Sequence, residues 1–226
     1  MTPDQLTFDL PSVPSLERGD FFVSKSNQFA FKMIEDWQNW ALRKCILFGP
    51  KSSGKTHLAH VWAKMSHGHV VSAKEIADPE RASDTNLAIL HVDACVGDVE
   101  RETVLFHLHN LTLAKGHSLL VCGEKPPPLW NIELADLKSR LEGSPYVKLD
   151  EPDDELFAAL LKKLFKDRQL TPTPKALSYV VLRLERSYTA AANFVDIADR
   201  VSLAEKKQVT RSFAKQIIEE HITGDD

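Results

Sequence analysis

Eight consecutive residues, Gly49-Pro50-Lys51-Ser52-Ser53-Gly54-Lys55-Thr56, follow the pattern G-x-x-x-x-G-K-T. That is the spacing of a phosphate-binding P-loop. The pattern alone is weak, and its surroundings strengthen it. Lys44-Cys45-Ile46-Leu47-Phe48 precedes it, a short apolar run suited to a buried parallel strand. His57 to Met65 follows with apolar residues at helical spacing. Strand, glycine loop and helix is the order the chemistry needs. A helix N-terminus offers free N–H groups and the positive end of its dipole to phosphate oxygens. Glycine lets the backbone come close. Lys55 can reach the β and γ phosphates, and the Thr56 hydroxyl can bind Mg²⁺. The residues expected to hold a nucleotide are therefore Gly49 to Thr56 with His57 behind them. An ordinary Gly-Lys turn ahead of a helix is the plain alternative, and it leaves the flanking strand unexplained.

A second group belongs with the first. Leu87-Ala88-Ile89-Leu90-His91-Val92-Asp93 reads as an apolar strand ending in an acid. A carboxylate at the carboxyl end of a strand beside a P-loop can hold Mg²⁺ through water. Asp93 and Thr56 are the expected metal-binding pair. Other candidates fall away. His107 and His109 are two apart and cannot share a helical face as metal ligands. The pairs His57/His60 and His67/His69 have no Cys or carboxylate partner nearby in sequence. Cys45, Cys95 and Cys122 lie in or beside apolar runs with neither zinc nor disulfide spacing. They read as reduced core thiols, which suits a cytoplasmic protein.

The elements that must position these groups alternate. Strand-like runs occur at 44–48, 69–73, 87–93, 118–124 and 146–149, with helical patterns at 26–42, 57–65 and 101–114 between or before them. Such alternation predicts a five-stranded parallel sheet flanked by helices. After Pro152 the pattern becomes all helical, with segments at 155–166, 174–184, 188–203 and 211–221, the last capped by Thr210. The expected organisation is a tail over 1–20, an α/β domain over 21–151 and a small helical domain over 152–226.

The chain has 226 residues, 43% hydrophobic and 27% charged, with a formal net charge of −4. A nucleic-acid-binding surface normally carries a basic bias, and the whole chain has none. No apolar run reaches membrane-spanning length, and the acidic, proline-bearing N-terminus does not look like a signal sequence. Neither export nor membrane contact is expected.

Several short segments together resemble the DnaA-like AAA+ family. Phe21-Phe22-Val23-Ser24-Lys25-Ser26-Asn27 is similar to the segment that opens the DnaA-type domain and lines the adenine pocket, which implies adenine contact at Phe22 and Val23. Gly54-Lys55-Thr56-His57-Leu58 is similar to the G-K-T-H-L of DnaA and helicase loaders. Gly123-Glu124-Lys125-Pro126-Pro127 resembles the sensor 1 turn, with Glu124 as the sensing residue. Asp136-Leu137-Lys138-Ser139-Arg140-Leu141 resembles the segment carrying the family's arginine finger, at Arg140. The tail Gln5-Leu6-Thr7-Phe8-Asp9-Leu10 resembles a peptide that binds the β sliding clamp of DNA polymerase III, through Gln5, Leu6, Phe8 and Leu10.

Within that family the combination is similar to the Hda group of regulators. The resemblance implies an α/β AAA+ domain with a helical lid, bound ADP or ATP with Mg²⁺, and no basic DNA-binding domain after the lid, where DnaA carries one. It implies negative regulation of replication initiation: riding on DNA-loaded clamp and triggering ATP hydrolysis on DnaA through Arg140. DNA would be met indirectly through the clamp, homo-oligomers are possible, and the place of action is the bacterial cytoplasm at the replisome and nucleoid. Two departures stand out. Ala94 follows Asp93 where hydrolysing members carry a second acid to position water, so the chain's own ATPase activity is left open. Thr189 stands at the lid's sensor 2 position, with Arg186 one turn earlier as the alternative cation. A helicase-loader or DNA-adaptor ATPase that binds single-stranded DNA is the competing reading. A small-molecule kinase has no use for the finger segment or the tail peptide.

Overall fold

The computed structural model describes residues 22–205 and 207–221. The five expected strands form: β1 (Lys44–Phe48), β2 (His69–Ser72), β3 (Leu87–Leu90), β4 (Leu119–Gly123) and β5 (Tyr146–Lys148). They make one sheet in the order β2-β3-β4-β1-β5, and every pairing is parallel. β1, β3 and β4 read as nearly unbroken apolar runs because both faces of the sheet are covered.

Side chains alternate between the faces. Cys45, Leu47, Leu90, Leu120 and Cys122 pack against α1 (Gln28–Glu35) and α2 (Lys55–Ser66). Ile46, Leu87, Ile89, Leu119 and Val121 pack on the other side, with Leu105 and Leu108 of α4 (Val99–Ala114) and Leu137 and Leu141 of α5 (Ala135–Glu142). A short α3 (Pro79–Ala82), capped by Asp78, lies in the polar stretch between β2 and β3. The helix after β1 and the helix after β4 thus cover opposite faces, although β1 and β4 are neighbours. A crevice opens at the carboxyl end of such a pair, and the P-loop lies there.

The remaining helices are α6 (Asp154–Asp167), α7 (Pro174–Val181), α8 (Tyr188–Glu205) and α9 (Arg211–His221). They share a core of their own around Phe157, Leu161, Phe165, Phe194, Phe213 and Ile217. Asp153, Thr173, Ser187 and Thr210 each accept a backbone N–H in a first turn. No helix among the described residues is long and apolar enough to cross a membrane.

Two expectations change. The helix expected over 26–42 ends at Glu35 and gives way to 3-10 turns at Trp37–Asn39 and Ala41–Arg43. Trp40 stacks on buried Trp62, ring centroids 5.4 Å apart, and its Nε1 donates to Met33 O, one of the carbonyls the helix end leaves free. Leu42 and Arg43 then take positive φ, which no continuing helix allows. Ser26 is not the cap of α1: its hydroxyl faces Ser24 Oγ and Asp153 N. That contact joins the Phe22–Asn27 segment to the start of α6.

Candidate functional site

The loop after β1 is shaped by its neighbours. Gly49 N donates to Gly123 O at 3.2 Å, and a Cβ on Gly49 would lie 2.1 Å from Leu149 O. Only glycine fits between the ends of β4 and β5. Ser52 and Gly54 take positive φ (58° and 102°), which turns the loop into the first residue of α2. Gly54 occupies the N-cap with no side chain to satisfy the first N–H groups of α2. They remain available to an anion.

Lys55 folds back over this loop. Its Nζ donates to Gly49 O at 2.8 Å and to Pro50 O at 2.6 Å. Burial holds its pKa below the ordinary 10.5, with Glu124 and Asp93 among the groups that partly offset this. Ser53 Oγ is buried and has no hydrogen-bond partner among the described residues. An ammonium bonded only to carbonyls, an orphaned hydroxyl and an uncapped helix start all want the same thing, an oxygen-rich anion. The loop therefore fits a nucleotide's phosphates. Lys55, the α2 N-terminus and Ser53 would hold them, and bound Mg²⁺ would supply charge neutralisation beside Thr56.

Asp93 sits on the same crevice, but not at a strand end. β3 stops at Leu90, His91 takes a left-handed φ of 58°, and Asp93 lies in a 3-10 turn (Val92–Ala94). Its Oδ2 accepts Glu124 N at 2.7 Å. Glu124 in turn reaches Lys51 Nζ at 3.9 Å on the surface. Thr56 and Asp93 line one cavity of about 590 Å³, together with Lys51, Ser52, Gly54, Lys55, His57 and Glu124. Among the described residues no group of three or more His, Cys, Asp or Glu forms a metal cage. Buried Cys122 lines the same cavity, and burial pushes its thiol up to about 12.

The helical part closes the cavity from the other side. Leu160, Lys163, Leu164 and Asp167 of α6 and Tyr188 of α8 line it. These residues escaped the sequence reading, though α6 carried a signal. Leu160 and Leu164 widen the apolar face of Phe157, Leu161 and Phe165; they flank that helical core, only partly buried against it, and their remaining surface lines the cavity. Ser52 makes the direct contact, its Oγ 2.6 Å from Thr189 Oγ1 and its O accepting Tyr188 N at 3.2 Å.

The other expected site residues lie apart. Phe22 and Val23 are 45% and 43% exposed and are not among the cavity's lining residues, although Asn27 Nδ2 fixes Phe22 O at 2.8 Å. Arg186 pairs with Asp154 and is likewise absent from the lining. Arg140 is exposed near the end of α5, its Cζ 5.8 Å from the centre of the Phe106 ring. Its carbonyl accepts Lys44 Nζ at 2.7 Å, at the first residue of β1. Arg140 is thus at the amino edge of the sheet and the P-loop at the carboxyl edge. Gln5, Leu6, Phe8 and Leu10 lie outside the described residues.

Comparison with solved structures matches this architecture to a known one. Domain III of the Thermotoga maritima replication initiation protein DnaA superposes with a TM-score of 0.77, covering 95% of this chain and 100% of that domain at 18% identity. The fold is a DnaA-like AAA+ fold. A replication initiator DnaA bound to AMPPCP and single-stranded DNA matches with a TM-score of 0.68 and 17% identity, over 83% of this chain and 67% of that one. The Thermotoga maritima RuvB Holliday junction branch migration motor matches with a TM-score of 0.65 and 18% identity, over 85% of this chain and 68% of its own. These are likenesses of the AAA+ fold. No protein-family model matches the chain. An uncharacterised protein of Haemophilus influenzae is 25% identical over 186 residues, 76% of this chain and 80% of its own length.

Proposed function

We propose that this chain is an Hda-type regulator: a nucleotide-bound AAA+ protein that uses the sliding clamp to reach ATP-loaded DnaA and stimulates hydrolysis there, which limits replication initiation. The observation that carries this reading is the separation of Arg140 from the chain's own P-loop. Arg140 O is bonded to Lys44, and Lys44 to Gly49 is five residues of extended strand, about 17 Å. An arginine that far from its own phosphates can serve only those of another molecule. A guanidinium aimed at a γ-phosphate stabilises charge in the transition state and can change the rate by several orders of magnitude.

The P-loop side agrees with a holding role. Asp93 has Ala94 after it, with no second acid to position water, and one Asp93 oxygen is already occupied by Glu124 N. ADP or ATP with Mg²⁺ is the proposed ligand, and a tail peptide of the Gln5–Leu10 type is the proposed clamp contact. DnaA and the β clamp are the proposed partners, with DNA met through the clamp.

The test is phosphate release from DnaA-ATP mixed with this protein and DNA-loaded clamp. Stimulation is expected from the wild type and at least a tenfold loss from Gln5→Ala and from Arg140→Ala. If both variants stimulate like wild type, the reading is wrong. Tight, salt-sensitive binding of the isolated protein to single-stranded oligonucleotide would point instead to a DNA-adaptor ATPase.

A further inference from the structure

Arg140 rides on a short helix, and a helix of eight residues is weakly stable by itself. What holds α5 in place is unusual. Its N-cap, Leu134, offers no capping side chain. The acceptor comes instead from α4. Glu102 is fully buried, and its Oε2 accepts Leu134 N at 2.7 Å and Glu133 N at 3.0 Å, while Oε1 accepts Gly97 N at 2.8 Å. At the other end Lys44, 5% exposed, donates from Nζ to Arg140 O at 2.7 Å, and Ser144 Oγ donates to the same oxygen at 2.7 Å.

Lys44 has no carboxylate partner among the described residues. Its other neighbour is His109, 2% exposed, with Nε2 3.4 Å from the ammonium. The His109 pKa is driven down to about 4, chiefly by burial. The ring is therefore neutral at ordinary pH, and Nε2 can accept. A buried acid at the start of α5 and a buried cation at its end are the signs that its dipole favours. Buried charges are costly unless fully hydrogen-bonded, and an ordinary core would fill both positions with leucine. These two instead make directional bonds to the two ends of one helix.

We infer that Lys44 and Glu102 are positioning residues for Arg140, fixing the pitch and rotation of α5 so that the guanidinium is presented from Phe106 to a partner's phosphates. This rests on the proposed reading of Arg140 as a finger. The residues act through the backbone of α5 and touch no nucleotide.

The hydrolysis assay above separates the two ideas. Lys44→Met keeps the stem and loses the donor; Glu102→Gln keeps one acceptor and turns an N–H toward N–H groups. Each is expected to lower the maximal stimulated rate at least about fivefold, with the half-saturating concentration and the affinity for a fluorescent ADP analogue unchanged. If Arg140→Ala loses activity while both variants reach the wild-type maximum, the inference fails and the finger stands. The inference fails in the same way if the rate falls only in proportion to lost nucleotide affinity, since that marks general structural damage. If Arg140→Ala acts like wild type, the finger reading fails and takes the inference with it. Should Lys44→Met not fold, Glu102→Gln decides.

Discussion

The Ser52 hydroxyl in the P-loop lies 2.6 Å from the Thr189 hydroxyl in the first turn of α8. With Tyr188 N donating to Ser52 O, this makes Ser52 the point where the helical lid bonds to the phosphate loop. The bridge is made of neutral groups, at the position where the DnaA-like pattern leads one to expect a cation. It ties the lid to the phosphate loop without adding charge. Such an exposed hydrogen bond is worth about 1 kcal/mol, or roughly fivefold in affinity. Thr189→Ala is expected to weaken ADP and ATP by that same factor, and Thr189→Ser to restore both. Titration with fluorescent nucleotide analogues measures it, and a loss confined to ATP would contradict the neutral-bridge account.

Lys55 is expected to make nucleotide affinity fall at alkaline pH. Burial lowers its pKa in the free protein, and phosphate oxygens raise it again on binding. Binding therefore takes up a proton near the lowered pKa, and affinity falls as pH rises through that value, by up to about tenfold per pH unit. Calorimetric titrations in buffers of different ionisation heat read the proton directly. Lys55→Arg, charged throughout, should bind with a flat profile over the same range, and Lys55→Ala should bind weakly at every pH.

Gly49→Ala should damage both the fold and the site. The new methyl would meet the Leu149 carbonyl at 2.1 Å, and that backbone is tied by Leu149 N to Phe48 O at 2.7 Å. Neither strand end can move away without breaking a ladder bond. The expected loss is about 3 kcal/mol in a urea melt, with nucleotide affinity falling as the loop is displaced. A midpoint within error of wild type would mean that the loop has more room than its contacts indicate.

The sequence carried what is local. The glycine loop, its strand and the start of its helix were readable because motif, apolar run and helical period are all short-range signals, and β1 runs over the five residues expected. The lid helices were readable from their helical pattern, with Thr210 marking the start of the last one. α1 was over-extended because its continuation is apolar, and the signal that ends it is Trp40 turning back onto Met33 O and Trp62. That is a tertiary contact. Asp93 looked like a strand end because Val92 prolongs the apolar run, whereas the left-handed His91 breaks it. The long-range bonds were invisible: Ser52 to Thr189 spans 137 positions and Lys44 to Arg140 spans 96. Glu102 has the sequence appearance of any solvated helix acid, yet it is fully buried.

His109 gives the fold an acid-sensitive point next to α5. Burial and then the Lys44 ammonium hold its pKa at about 4, against an ordinary 6.5. Arg140 also faces it, with the same sign, and the Asn110 side chain opposes the shift only in part. Between these values the unfolded chain binds the proton and the folded one resists it. Stability is therefore complete above about pH 6.5 and declines as pH falls toward 4, by about 3 kcal/mol in total. Urea melts at successive pH values should show that decline, and His109→Gln should remove its share. Lys44→Met takes away one of the charges opposing protonation, so the His109 titration followed by NMR should move upward. A ring that titrates near 6.5 in the folded wild type would sink this account, because it would mean that His109 meets water rather than Lys44.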